Sequence, residues 1–276
     1  MSRKPTIHAA LFAAQQAIGR IEARALLRET VRQTDAWLLA HADDVMSPEQ
    51  SQQYEALVAR RVAGEPVAYI TGFREFHSRA FRVSNDVLIP RPETELLVEL
   101  ALQRLPAKGH CRVLDLGTGS GCIGITIAAE RPQARVTLVD HSDAALQIAG
   151  FNAAQWAPAN TRLLQGDWYG AVSGERFDLI LANPPYVAEG DSHLQQGDLR
   201  FEPRSALASG ADGLRDLHRI IAEAPAHLEA GGWLLLEHGF EQAVACAQML
   251  AAAGFSDVFC APDLAGMPRV SGGRRR

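Results

Sequence analysis

A chain of 276 residues with 47% hydrophobic and 21% charged side chains can bury a sizeable core, and its length suits two domains. The formal net charge is −5, with 11 Lys and Arg against 10 Asp and Glu up to residue 90 and 16 against 22 beyond it. Apart from the terminal Arg274, Arg275 and Arg276, this balance lacks the basic footprint of a protein that tracks a nucleic-acid backbone, and no run of about 18 apolar residues suggests a membrane span.

Residues 1–24 hold basic groups and a short apolar patch but return to charge at Arg20, so they read as an amphipathic helix and not as a signal peptide. A cytoplasmic location is expected. Leu11, Ile18, Ile21, Leu26 and Leu27 recur at helical spacing, followed by Trp37, Leu38 and Leu39. Ser47-Pro48-Glu49-Gln50 is a helix start, with Ser as N-cap, Pro in the first turn and Gln three residues after the Ser. That helix runs through Tyr54, Leu57, Val58 and Val62 to Gly64. Three or four short helices without a strand predict a small bundle for residues 1–73, a docking module for the substrate.

The pattern then changes. Phe73, Phe76, Phe81, Val83, Val87, Leu88 and Ile89 alternate with polar residues, and Ser84-Asn85-Asp86 offers turn chemistry, which predicts a β-hairpin linker over residues 74–90. From Glu93 onward strands and helices alternate. Strands are expected at 111–115, 135–139, 161–165, 177–182, 232–237 and 256–260. Helices are expected at 93–105, 121–131, 143–156, 213–229 and 240–253. The fold class is therefore α/β: a doubly wound, mostly parallel sheet over residues 91–276, preceded by the helical bundle and the hairpin. Cys111, Cys122, Cys246 and Cys260 form no CxxC pair and no metal-ligand spacing, so all four are expected as buried free thiols, with no metal.

Cys111-Arg112-Val113-Leu114-Asp115-Leu116 reads as a strand, and Gly117-Thr118-Gly119-Ser120-Gly121 follows directly before a helix. Such a turn lies at the carboxyl ends of the strands, where glycines let a ligand approach the backbone and helix-start N–H groups face it. The dinucleotide pattern G-x-G-x-x-G would need Gly at 122, where Cys122 stands. Asp115 can accept from a ligand ammonium but would repel a pyrophosphate. Asp140, at the end of the second strand, can accept from both hydroxyls of a ribose. That requirement is shared by NAD and S-adenosylmethionine. Asp167 can accept from an adenine amine, and Trp168 can cover the ring face.

Asn183-Pro184-Pro185-Tyr186 stands at the end of the strand Phe177-Asp178-Leu179-Ile180-Leu181-Ala182. Two prolines stiffen that turn and remove two N–H donors. The Asn183 side-chain carbonyl and the Pro184 backbone carbonyl are two acceptors able to converge on one NH₂ group and aim its nitrogen at an incoming methyl. Tyr186 offers a π face for a planar group and a positive sulfonium. Asn183, Pro184 and Tyr186 are thus the expected catalytic residues, and Pro185 joins them against the substrate.

Taken together, 115–121, Asp140 and Asn183-Pro184-Pro185-Tyr186 resemble class I S-adenosylmethionine methyltransferases acting on nitrogen, with a Rossmann-like fold. Glu65-Pro66-Val67-Ala68-Tyr69-Ile70-Thr71-Gly72, Ile89-Pro90-Arg91-Pro92-Glu93-Thr94-Glu95 and His193-Leu194-Gln195-Gln196-Gly197-Asp198-Leu199-Arg200-Phe201-Glu202-Pro203 narrow the resemblance to the HemK/PrmC family. The resemblance implies methylation of N5 of the glutamine in the Gly-Gly-Gln loop of peptide chain release factors, with S-adenosyl-L-methionine as cofactor and S-adenosyl-L-homocysteine as product. It implies cofactor contacts from Gly117, Thr118, Gly119, Ser120, Gly121, Asp140, Asp167, Trp168 and Asn183. Release factors are the expected partners, with no direct nucleic acid, no membrane and a monomeric state. A ribosomal-protein glutamine methyltransferase shares the Asn-Pro-Pro-Tyr turn and is the alternative, ahead of a nucleic-acid amine methyltransferase. The family closes with a β-hairpin, whereas Pro268-Arg269-Val270-Ser271-Gly272-Gly273 is glycine-rich and short, which leaves a last strand open.

Overall fold

The computed structural model describes residues 5–107 and 109–276. The basic residues at 1–4, read above as part of the first helix, lie outside them. The chain forms two compact units: the described part of Met1–Phe73 together with Gln196–Phe201, and Arg74–Gln195 together with Glu202–Arg276.

The first unit is helical: α1 (Ile7–Ile18), α2 (Arg20–Val31), α3 (Asp35–Ala40), α4 (Pro48–Val62) and the short α5 (Val67–Thr71). Thr6, Thr34 and Ser47 cap three of these through their side chains, and Ser47 and Gln50 complete a reciprocal capping box. Ala23, Leu26, Leu27, Met46 and Tyr54 form its core, where the Tyr54 hydroxyl donates to the Ala23 carbonyl at 2.9 Å. Ile21 and Leu39, which share the apolar spacing, instead stand 85% and 71% exposed. Gly19 interrupts the first helix and restarts the second, so one continuous apolar stripe never forms. The segment Gln196–Phe201 packs into this unit. Arg61 binds Asp198 at 3.0 Å and Glu22 at 2.6 Å, and Arg200 donates to the Ala63 carbonyl.

The hairpin is β1 (Phe73–Phe76) and β2 (Arg79–Arg82). Its turn falls at His77 and Ser78, both left-handed (φ 49° and 59°), and not at Ser84–Asp86 as the composition suggests. Ser84 and Asp86 close a separate side-chain turn after the hairpin, and residues 87–90 are not strand. After a 3₁₀ turn at Pro92–Thr94 come α6 (Glu95–Arg104), β3 (Arg112–Leu116), α7 (Cys122–Glu130), β4 (Arg135–Asp140), α8 (Asp143–Trp156), β5 (Thr161–Gln165) and β6 (Phe177–Ala182). The chain ends with α9 (Arg215–His227), β7 (Leu228–Glu237), α10 (Ala243–Ala252), β8 (Ser256–Pro262) and β9 (Pro268–Arg274).

The seven strands lie in the order β5-β4-β3-β6-β7-β9-β8. The first five are parallel and the last two pair antiparallel, so the sheet is doubly wound as expected. One face packs α6 and α7 through Leu97, Val98, Ile123 and Ile127, the other packs α9 and α10 through Leu217, Ile220, Cys246 and Leu250. The glycine-rich end does form a strand, β9, inserted between β7 and β8. There the glycines are a packing requirement: an ideal Cβ on Gly272 would stand 2.6 Å from Leu235 and 2.7 Å from Phe259. Cys111, Cys122 and Cys246 are buried, but Cys260, on the edge strand β8, is exposed. No helix among the described residues is long and apolar enough to cross a membrane.

Candidate active site

Strand order reverses between β3 and β6, and ligands of open α/β sheets lie at that reversal, outside the carboxyl ends of the strands. Leu116, Asp140, Ala182 and Glu237 end β3, β4, β6 and β7, so the loops after these strands meet. They enclose a cavity of about 460 Å³, a size suited to a nucleoside-bearing ligand. Gly117, Thr118, Gly119, Ser120, Asp140, Asp167, Trp168, Asn183 and Pro185 all line it. Gly121, Pro184 and Tyr186 do not.

Each absence has a physical reason. Gly121 turns its α-hydrogens into the packing of α7, where an ideal Cβ would meet Ile125 at 2.4 Å and Ala149 at 3.3 Å. Pro184 is buried. Tyr186 packs against the apolar face shared with α9 and α10, and its hydroxyl donates to Glu237 Oε1 at 3.3 Å, so its ring is not a free platform. Burial, reinforced by Glu237, pushes that phenol far above its ordinary range.

The glycine loop is tied down by two carboxylates. Asp115 is wholly buried, accepting from the Thr118 hydroxyl at 2.6 Å and the Gly124 N–H at 3.0 Å, and it does not reach the cavity wall. Its expected role toward a ligand ammonium is therefore replaced by shaping the loop. Burial pushes its carboxyl up to about 7, and its Oδ1 has no hydrogen-bond partner among the described residues. Asp140 accepts from the Gly119 N–H at 2.8 Å through Oδ2 and from the Ser142 N–H at 2.9 Å through Oδ1. Each of its oxygens keeps a lone pair for a ligand hydroxyl. Ser142, not Asp140, caps α8.

Gly119 has a left-handed φ of 55°, and an ideal Cβ there would meet no protein atom within 4 Å. The loop thus presents bare backbone to the cavity, a cradle that a side chain would fill. Trp168, a non-glycine residue at φ 48°, sets its ring edge 3.1 Å from where a Cβ of Gly117 would be. Asp167 points outward instead: its side chain is 66% exposed and paired with Arg219 at 2.6 Å. Cys122 also lines the cavity, and burial holds its thiol protonated by pushing it up to about 12.

The Asn183 side-chain NH₂ donates to the Thr94 hydroxyl at 3.3 Å, which leaves its Oδ1 as the unused acceptor. Thr94 itself lines the cavity and is buried. Beneath this pair lies Glu237, 1% exposed, whose carboxyl burial pushes up to about 7 against the influence of Thr94, Arg269 and Tyr186. Arg91 forms an ion pair with the buried Glu202, which also accepts from the Ile89 N–H. Thr94 and Glu237 were missed as site residues. Thr94 sits in a run singled out only for resemblance, and Glu237 had a signal: a lone acid after Trp233-Leu234-Leu235-Leu236, at a strand's carboxyl end.

Two known families match the chain: the PrmC N-terminal domain over residues 7–72 and the Methyltransferase small domain over residues 93–202. The chain is 50% identical to a release factor glutamine methyltransferase of Xylella fastidiosa (strain Temecula1), covering 98% of each. It is 45% identical to a protein of the same description from Escherichia coli (strain K12), covering 92% of each. A methyltransferase structure from Pyrococcus furiosus superimposes with a TM-score of 0.54 at 18% identity, covering 79% of this chain and 96% of that one, a likeness of fold alone.

Proposed function

Because the chain belongs to the family of release factor glutamine methyltransferases, we propose that it transfers a methyl group from S-adenosylmethionine to the side-chain amide nitrogen, N5, of a glutamine in peptide chain release factors. The observation that carries this reading is Asn183. Its NH₂ is engaged by Thr94, which leaves Oδ1 as the unused acceptor, and the residue lines the same cavity as the glycine loop.

The residues fit the cofactor. Gly117 and Gly119 offer backbone without side chains, the Asp140 carboxylate has lone pairs for two ribose hydroxyls, and the Trp168 ring can lie on the adenine face. Asp167, drawn outward by Arg219, contributes through its backbone more than its carboxylate. When bound, the cofactor supplies an electrophilic methyl on a positive sulfonium.

An amide nitrogen is a poor nucleophile because its lone pair is delocalised. Asn183 Oδ1 accepts one amide hydrogen, favours the nitrogen as charge develops on it and would align it with the methyl. The surplus proton leaves to solvent after transfer. Pro184, buried off the cavity wall, stiffens the turn that holds Asn183. Pro185 closes that turn, and Tyr186 anchors it from behind through Glu237. The first unit, without any of these groups, docks the protein substrate.

Mass spectrometry of release factors incubated with the enzyme and S-adenosylmethionine tests the assignment: one added methyl on the glutamine is expected, and none, or methylation of a ribosomal protein instead, would overturn it. Asn183→Ala should slow single-turnover transfer by roughly 10²–10³-fold, the effect of losing one preorganised polar partner. A rate within about threefold of wild type would remove Asn183 from the chemistry.

A further inference from the structure

Asn152 stands inside α8, wholly buried, where helix propensity and burial both disfavour an amide side chain. Its side chain bonds only to backbone. Oδ1 accepts the Arg82 N–H at 2.8 Å, and Nδ2 donates to the Arg82 carbonyl at 3.0 Å and the Ser120 carbonyl at 2.8 Å. The orientation of the amide is fixed, since an N–H only donates and a carbonyl only accepts. Arg82 ends β2 and Ser120 belongs to the glycine loop, so one side chain joins two stretches distant in the sequence.

The Ser120 carbonyl depends on this bond. A helix continued backward from α7 would offer it the Gly124 N–H, but Asp115 Oδ2 holds that N–H at 3.0 Å. Two side chains thus replace one helical bond, Asp115 on its donor and Asn152 on its acceptor. Ser120 is 2% exposed, so without Asn152 its carbonyl would stay buried and unpaired, or the loop would shift to pair it. Ser120 lines the cavity, and so do Asn85, Val87 and Arg91, which follow Arg82 in the chain.

We propose that Asn152 is a positioning residue for the cofactor: it holds the glycine loop against the stretch that follows β2 and keeps that part of the cavity in its binding shape. The proposal rests on the reading of the cavity as the S-adenosylmethionine site. Asn152 is not itself on the cavity wall, so it acts through Ser120 and Arg82. A loop that holds the cradle shape for about a tenth of the time binds its ligand about tenfold more weakly. Trp156, one turn further along α8, supplies a control. Its Nε1 donates to the Ala80 carbonyl at 3.1 Å, a side-chain grip on the same strand and not on the loop.

Titration calorimetry of the full chain with S-adenosylhomocysteine, well below every melting midpoint, tests this. Asn152→Ala should weaken binding about tenfold or more and Trp156→Phe less than about threefold, although both should melt earlier. Wild-type affinity in Asn152→Ala, or equal losses in the two variants, would overturn the proposal. Should Asn152→Ala fail to fold, amide hydrogen exchange in the wild-type chain decides. S-adenosylhomocysteine should slow exchange at the Arg82 N–H more than at the amides of β8 and β9, and equal slowing would overturn the proposal. Asp140→Ala separates the two readings. If it binds as wild type does, the reading of the cofactor site fails and this proposal with it. If it binds weakly while Asn152→Ala binds normally, only the proposal fails.

Discussion

Oδ2 of Asp140 accepts the N–H of Gly119 at 2.8 Å, so the carboxylate at the end of β4 holds the loop that follows β3. One residue thus serves the cavity wall and the loop's shape. Burial to 7% exposure makes it part of the fold, whereas a strand end reads from sequence as near solvent.

Asp140→Ala should therefore weaken S-adenosylmethionine binding and also lower the melting temperature. Loss of hydrogen bonds to a charged group is worth roughly 1.5–3 kcal/mol, or about 10–150-fold in affinity. Titration calorimetry with a thermal melt measures both; unchanged affinity would remove Asp140 from the cofactor site.

Two glycines of one loop should respond in opposite ways. The Cβ that Gly119→Val adds meets no protein atom within 4 Å, so beyond ~1–2 kcal/mol of left-handed strain the chain should fold, yet cofactor binding should be lost. Gly121→Ala drives a methyl to 2.4 Å from Ile125, so its stability should fall by an overpacking cost of about 1–3 kcal/mol, seen as a lower melting temperature. Binding by Gly119→Val at wild-type affinity would mean the loop is only a turn.

Arg61 spans Glu22, the carbonyls of Gly64 and Glu65, and Asp198 within the first unit. Arg61→Ala should release Gln196–Phe201, seen as faster amide hydrogen exchange there with exchange in β3 and β4 unchanged. Equal protection in the variant would show that Arg200 and its bond to Ala63 suffice.

Asp115 carries a signature in stability against pH. Its carboxyl is raised on folding to about 7, mainly by burial, so the folded chain holds that proton more tightly than the unfolded one. The resulting stability is full below the ordinary carboxylate range and is lost as pH rises through about 7. Asp115→Asn should remove that share of the decline between about pH 4 and 7, read from urea midpoints across the range. A variant whose midpoints fall with pH as steeply as wild type would show that Asp115 does not titrate there.

Local chemistry was legible wherever the residues that decide a feature are neighbours in the chain. Ser47 and Gln50 form their capping box, the segments at 161–165 and 177–182 are strands to the residue, and 143–156 is a helix with Ser142 as its cap. The same holds for the site: a glycine loop, an acid ending the next strand and Asn-Pro-Pro-Tyr ending another already describe a cavity at the edge of a parallel sheet.

Features set by distant partners were not legible. Ser84-Asn85-Asp86 has turn composition, yet the hairpin turns at His77 and Ser78, where the His77 N–H is held by Glu95 at 2.8 Å. Gly272 and Gly273 weaken a strand by propensity, but Leu235, Phe259 and Phe255 leave room for nothing larger, and pairing with β7 and β8 outweighs that cost. Cys260 lies in an apolar stretch and is exposed, because its strand is at the edge. Asn183 and Glu237 lie far apart in the chain and come close because the parallel strands β6 and β7 carry their carboxyl ends to one side, and Thr94 joins Asn183 there from the 3₁₀ turn before α6. Sequence thus determined which residues could do the chemistry. Tertiary structure decided which of them face the cavity and which, like Tyr186 and Gly121, support it from behind, because direction depends on packing partners that no local pattern contains.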